Sequence, residues 1–249
     1  MILPKIIIIG AAKCGTTALW YNLDKHPDIY MATRTDESIE LHFWHSKFWN
    51  KGFDWYSSRF VDDKICGEKS VDYWGNKPAM KAIKKHIPDV KLLLCVRNPV
   101  DRAYSNFQMH RNAGRISKFD YKPYLGVGKY IGKIQNKILP FFDKDQLHIC
   151  VAEYMKKDPT SEMSKVFEFL EVEDLNLPKK VIDGMLRRYR TRQEDIKLNQ
   201  REKFYRVWDR WSAKDSLTGS VRDDLLKIYK PHNEKLFDFL GYEIKEWYK

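Results

Sequence analysis

None of the four cysteines, Cys14, Cys66, Cys95 and Cys150, belongs to a C-x-x-C pair, and no histidine stands at metal-ligand spacing from them. The pattern offers neither a zinc module nor a disulfide framework. The scattered thiols read as reduced cysteines of a cytoplasmic protein, and no metal is expected. Long apolar runs are missing too. The apolar segment at residues 6–9 is too short for a secretory leader or a bilayer span and runs straight into a glycine loop, so it reads as a strand and no membrane anchor is expected. There is no internal repeat, low-complexity tract or long linker. A single domain over residues 1–249 is the expectation.

What is present is a basic, aromatic-rich chain. Forty-five Lys plus Arg against thirty-four Asp plus Glu leave a formal charge of +11, which suits nucleotides, nucleic acid, acidic glycans or membrane surface. Charge alone does not choose among them. With 43% hydrophobic residues the chain can bury a sizeable core, and eight Trp with fourteen Tyr point to an aromatic interior or cleft.

The order of elements predicts an α/β fold: a central parallel sheet flanked by helices. KIIII (5–9) is β-branched and apolar with glycine directly after it, as a strand buried on both faces requires. A helix over 16–25 follows, with Leu19 and Leu23 on one face and His26-Pro27 ending it. Residues 28–76 show weak periodicity and read as an elaborated loop region. Residues 78–87 place Met80, Ile83 and Ile87 on one helical face, and KLLLCV (91–96) is a second buried strand, so the two resemble a parallel crossover unit. RNP (97–99) stops that strand before a helix beginning DRAYSNF. A third strand is expected over 146–153, an amphipathic segment over 164–170, and a closing helix that Pro231 divides in two before Gly241.

The stretch GAAKCGTTAL (10–19) stands between the first strand and helix. A glycine-rich turn there aims several backbone N–H groups and the positive end of a helix at one anion, which makes the core P-loop-like and nucleotide-binding. Gly10 and Gly15 permit the turn, Thr16 and Thr17 add hydroxyl donors, and Lys13 adds a full charge. A nucleoside-triphosphate loop reads G-x-x-x-x-G-K-[ST], with lysine after the second glycine; here lysine precedes it. Such an enzyme also wants an acidic magnesium ligand at a neighbouring strand end. KLLLCV ends in Arg97 instead, which argues for a second phosphate and against a metal. On a helical DRAYSNF, Ser105 lies on the same side as Arg102, and Arg97 with Ser105 could grip that phosphate.

KCGTTAL after a buried strand, then IELHFW, KGFDWY, GEKSVDYW and VRNPVDRAYSNFQ, in that order, resembles the PAPS-dependent sulfotransferase family. The nearest likeness is to the heparan sulfate N- and 3-O-sulfotransferase branch and its bacterial relatives. It runs over residues 5–110 and resumes at KPHNEKLFDFLG. The resemblance implies sulfuryl transfer from PAPS, leaving adenosine 3′,5′-bisphosphate. Lys13, Cys14, Gly15, Thr16 and Thr17 would bind the 5′-phosphosulfate, with Lys13 neutralising the leaving oxygen. Arg97 and Ser105 would hold the 3′-phosphate. Glu40 would be the general base, Glu37 its rival, and Lys69 would face the transferring group or the acceptor. His42 and His45 read as packed histidines. His110 is one position off a histidine that looks catalytic in the N-sulfotransferase branch; Met109 takes the matching place, which favours a hydroxyl over an amine acceptor. Phe204 and Tyr205 are candidate adenine contacts, Arg210 and Lys214 candidate phosphate contacts. The partner implied is a glycan or hydroxylated metabolite, not nucleic acid. Two other readings remain open: a P-loop-type kinase, and a non-catalytic polyanion-binding module on the same fold.

Overall fold

Five short strands form one all-parallel sheet in the computed structural model, which describes residues 1–35, 38–45, 48–116, 120–175, 217 and 219–248. The strands are β1 (Ile6–Gly10), β2 (Ile29–Met31), β3 (Ile65–Lys69), β4 (Lys91–Val96) and β5 (Leu147–Val151), in the order β2-β3-β1-β4-β5. Every residue of β1 is buried, as is every residue of β4 except Lys91. Such burial on both faces demands the unbroken apolar runs these two segments carry.

The chain forms two compact units. The first takes Met1–Val96 and the described residues from Lys133 to 175; the second takes Arg97–Gly132 and the described residues from 217 onward. In the first unit, α1 (Thr16–Asp24) carries the chain from β1 to the edge strand β2, and β3 then pairs between them. After the short helix α2 (Gly52–Ser57) and β3, helix α3 (Lys77–His86) leads to β4 on the far side of β1. Strand order therefore reverses at β1. Ligands of open α/β sheets gather at the carboxyl ends of strands at such a switch point.

Residues 28–76, expected as loop, contain β2, α2 and β3. β3 reads ICGEK, and its two charges are buried, Glu68 at 0% and Lys69 at 2% exposure. Their partners come from elsewhere in the chain, so no apolar period marks the strand. α3 starts where Asn76 accepts from the Ala79 N–H at 3.2 Å, with Pro78 in the first turn.

In the second unit, α4 (Pro99–Asn112) is capped by Asn98, whose Oδ1 accepts from the N–H groups of Val100 at 3.0 Å and Asp101 at 3.4 Å. Val100 packs with Leu225 and Tyr229 of the closing helix, and Ala103 and Phe107 with Tyr124 of α5 (Lys122–Gly128). The closing helix, expected to break at Pro231, runs unbroken over Ser220–Leu240. Its buried stripe, Leu225, Tyr229, Asn233, Leu236 and Phe237, continues past the proline, which itself is exposed. The carbonyl deprived of a donor is left on the solvent side, and the continuous apolar face outweighs the break.

Candidate active site

β1 ends in the turn that the sequence marks. Gly10 has φ 152°, Lys13 φ 71° and Gly15 φ 93°, so backbone in the left-handed region brackets the loop. Gly15 is the N-cap of α1 and supplies no side-chain hydrogen bond to the first turn, which also lacks an acidic residue. The backbone N–H groups that open α1, Lys13 and the hydroxyl of Thr17 are what an anion requires here, so the residues present fit a phosphate or phosphosulfate group. Cys14 and Thr16 are buried, whereas Lys13 and Thr17 are half-buried.

One strand over, β3 leaves the sheet beside β1 with Ile8 paired to Lys69. β2 pairs with β3 only as far as Gly67. The chain then makes an excursion that folds back on itself between Thr35 and Ser38, and Glu40 returns to form a parallel bridge with Lys69. Glu40 thus takes the edge position that β2 vacates. Its Oε1 accepts from the Lys69 ammonium at 2.6 Å, and its Oε2 faces the Val71 N–H at 3.4 Å. Glu40 and Lys69 lie 29 residues apart in the chain, and the sheet register brings them together.

Glu40 also meets His42, with 3.2 Å between Oε2 and Nε2. On its other side His42 Nδ1 lies 3.0 Å from Asp72 Oδ1. Burial disfavours the imidazolium. The hydrogen bond to Asp72 and the charges of Asp72 and Glu40 outweigh it, against opposition from Arg34, and the pKa rises above the ordinary histidine value. Asp72 answers in the other direction: burial would raise its pKa, but the bond to His42 and its charge bring the value below normal. His42, expected as a packed ring, therefore joins two carboxylates. A signal was available in Glu-Leu-His, where Leu41 is buried and the residues on either side keep solvent access. Asp72 gives no sign of this role until β3 is placed.

Behind this row Glu68 sits in a dry cluster. It accepts from the hydroxyls of Tyr56 at 2.5 Å, Ser70 at 3.0 Å and Tyr73 at 3.3 Å. Burial drives its pKa up to about 7 in spite of those bonds and the charge of His42.

On the second unit, Arg97 is the residue directly after β4. Its backbone is fixed by Tyr130, whose hydroxyl donates to the Arg97 carbonyl at 2.8 Å. Ser105 is half-buried on α4, two turns in. Arg102 is fully buried and donates Nη2–H to the Tyr124 carbonyl at 2.6 Å, so it is committed to the interior of its unit. His110 Nδ1 lies 3.0 Å from the Tyr124 hydroxyl. Glu37, Phe204, Tyr205, Arg210 and Lys214 lie outside the described residues.

The profile of the family described as "Sulfotransferase domain" matches residues 3–239. A mouse protein named bifunctional heparan sulfate N-deacetylase/N-sulfotransferase 1 is 37% identical over 196 residues, 68% of this chain and 22% of its own length. The human protein named bifunctional heparan sulfate N-deacetylase/N-sulfotransferase 3 is 30% identical over 196 residues, again 68% of this chain and 22% of its own. The chain thus spans less than a quarter of either relative. Among solved structures, a sulfotransferase from Alicyclobacillus acidocaldarius superposes with a TM-score of 0.74 at 21% identity, covering 100% of both chains. Mouse sulfotransferase SULT7A1 complexed with PAP gives a TM-score of 0.52 at 16% identity, over 90% of this chain and 89% of its own. These two show a shared fold. With the family profile spanning nearly the whole sequence, the chain belongs to the sulfotransferase domain family.

Proposed function

We propose that the protein transfers a sulfuryl group from PAPS to a hydroxyl of a carbohydrate or hydroxylated metabolite by in-line displacement, without a covalent intermediate. The observation that carries this is the Glu40–Lys69 pair at 2.6 Å, held at the carboxyl edge of the sheet one strand from the phosphate loop. Glu40 takes the proton that the acceptor oxygen loses as it attacks sulfur. Lys13 and the N–H groups that open α1 stabilise charge on the departing phosphate oxygen, and Lys69 does the same for the sulfuryl oxygens. Arg97 and Ser105 are assigned the 3′-phosphate. Positioning and charge stabilisation carry the catalysis, as they do for phosphoryl transfer.

The names of the curated relatives give an amine acceptor as the second possibility. Met109 at the place of the histidine expected for that chemistry favours the hydroxyl. The four cysteines are buried and none is in a disulfide, which supports a reducing compartment such as the cytoplasm. No helix among the described residues is long and apolar enough to cross a membrane.

The test is incubation with sulfur-labelled PAPS and two acceptor sets, glycans with free hydroxyls and de-N-acetylated glycans with free amines. Label on the first set is expected, in the presence of chelator. Label on the amines alone would replace the hydroxyl assignment. Magnesium-dependent ATP turnover with no label transfer would make the protein a kinase, and salt-sensitive glycan binding without uptake of adenosine 3′,5′-bisphosphate would make it a binding module.

A further inference from the structure

We propose that Glu68 is a positioning residue: its carboxylate sets the hydrogen-bond direction of three hydroxyls, which in turn hold the backbone of His42 and Trp44 and so aim the His42 ring at Glu40. Successive residues of a strand point to opposite faces. Glu68 therefore turns away from the face on which Lys69 meets Glu40, and the transfer chemistry proposed above does not use it.

Proton counting fixes the direction of these bonds. Each hydroxyl has one proton. Above about pH 7, where Glu68 is ionised, Tyr56, Ser70 and Tyr73 all give theirs to it. Their oxygens can then only accept, and each accepts from the same short segment. Ser70 Oγ takes the His42 N–H at 2.9 Å, Tyr73 Oη the Trp44 N–H at 3.2 Å, and Tyr56 Oη the Trp44 indole N–H at 2.9 Å. Three donors of residues 42–44 are thus bound to groups whose polarity one buried carboxylate decides.

The segment needs such restraint. His42 has φ 53°, a left-handed conformation that a non-glycine residue keeps only where its surroundings over-determine it. Phe43 adds packing, stacked on the Tyr56 ring with centroids 4.2 Å apart, but packing does not fix the direction of an N–H. The groups facing the His42 ring are Glu40, Asp72, Arg34 and Phe48. A small rotation of the His42 backbone would take the ring off both carboxylates together.

With Glu40 as the base, as proposed above, loss of this alignment lowers kcat and leaves donor binding intact. The variants are Glu68→Gln, which sets an amide donor against hydroxyls that already donate, Ser70→Ala, which removes the acceptor for His42 together with one of the three donors to Glu68, and Ser70→Thr, which restores both. Three quantities are read: the His42 imidazole titration by NMR, the affinity for adenosine 3′,5′-bisphosphate by calorimetry, and turnover. Glu68→Gln and Ser70→Ala are expected to keep nucleotide affinity within about twofold, to lose about tenfold or more in kcat, and to move the His42 titration down toward that of a free imidazole. Ser70→Thr should recover both kcat and titration. An unmoved His42 titration in both variants overturns the proposal. So does a parallel fall of nucleotide affinity, melting temperature and kcat in both, which would make Glu68 a fold residue only; if Glu68→Gln alone fails to fold, Ser70→Ala decides. The titration needs no acceptor and no transfer: wild type that moves no label, yet whose His42 responds to Ser70→Ala, would sink the proposed function and leave this inference standing.

Discussion

Lys69 and Glu40 form a 2.6 Å ion pair in which the lysine side chain is 3% exposed and the glutamate 21%. The asymmetry has a consequence. Taking away the carboxylate strands a nearly dry ammonium, whereas taking away the lysine leaves a carboxylate that water can still reach. A buried charge left without its partner costs about 3–5 kcal/mol.

Glu40→Ala is therefore expected to lower the melting temperature more than Lys69→Met does, and a thermal denaturation series compares them. Glu40→Gln keeps an acceptor oxygen for Lys69 while losing the base, so it should retain the fold and lose on the order of a hundredfold in PAPS-dependent turnover. A Glu40→Gln enzyme with wild-type rate would remove Glu40 from the proton transfer.

Lys13 stands in the left-handed region at φ 71°, on the loop that opens α1. In the mechanism proposed above its charge stabilises the phosphate oxygen as the bond to sulfur breaks, a charge larger in the transition state than in the bound donor. Lys13→Ala should cut kcat by about a hundredfold and raise the KM for PAPS far less, a split that steady-state kinetics reads directly. A raised KM with kcat unchanged would make Lys13 a ground-state anchor.

The parts of the fold legible in the sequence are those whose physics is local. β1, and β4 after Lys91, are apolar because both faces are covered, and the glycine turn after β1 announces itself by composition. β3 could not be read this way. Its Glu68 is satisfied by Tyr56 and Tyr73, and its Lys69 by a residue 29 positions earlier, so the polar letters that hide the strand become acceptable only once the chain is folded. The same holds for His42, whose place in the site depends on Asp72, 30 residues on. Glu40 and Lys69 were nameable from the family resemblance, but their direct contact was not, because it follows from the register of Glu40 on the edge that β2 leaves. At Pro231 the local rule, that proline breaks helices, lost to a buried stripe extending on both sides.

Gly10 packs under Trp74, and a Cβ placed there would lie 2.3 Å from the ring. Trp74 cannot withdraw easily: its backbone N–H donates to the Ile9 carbonyl at 3.2 Å, and the residue is 3% exposed. Gly10→Ala should therefore displace the start of the phosphate loop, costing about 1–3 kcal/mol of stability and reducing nucleotide affinity at least tenfold. A second change, Trp74→Ala, opens the space and should return part of the affinity. Calorimetric titration of the single and double variants checks both statements; full affinity in Gly10→Ala would show that the loop tolerates the displacement.

Glu68 also makes stability depend on pH, with a sign opposite to that of most carboxylates. Burial raises its pKa from 4.5 to about 7, so over that interval the folded protein keeps a proton that the unfolded chain has released. Stability from this group is full below about 4.5 and is lost as pH rises to about 7. His42, also raised, acts in the same sense: its contribution is present below 6.5 and disappears as pH rises through its folded value. Asp72, lowered from 3.8, matters only in more acid solution. At about 1.4 kcal/mol per unit, a shift of roughly 2.5 units bounds the Glu68 effect at on the order of 3 kcal/mol. Urea unfolding at several pH values between about 5 and 8 should show wild type losing stability toward the alkaline end. Glu68→Gln removes the larger titration and, by loosening His42, reduces the smaller one, so its stability curve should be flatter. A variant as steep as wild type would mean that Glu68 titrates as an ordinary carboxylate and that the cluster of three hydroxyls already compensates its burial.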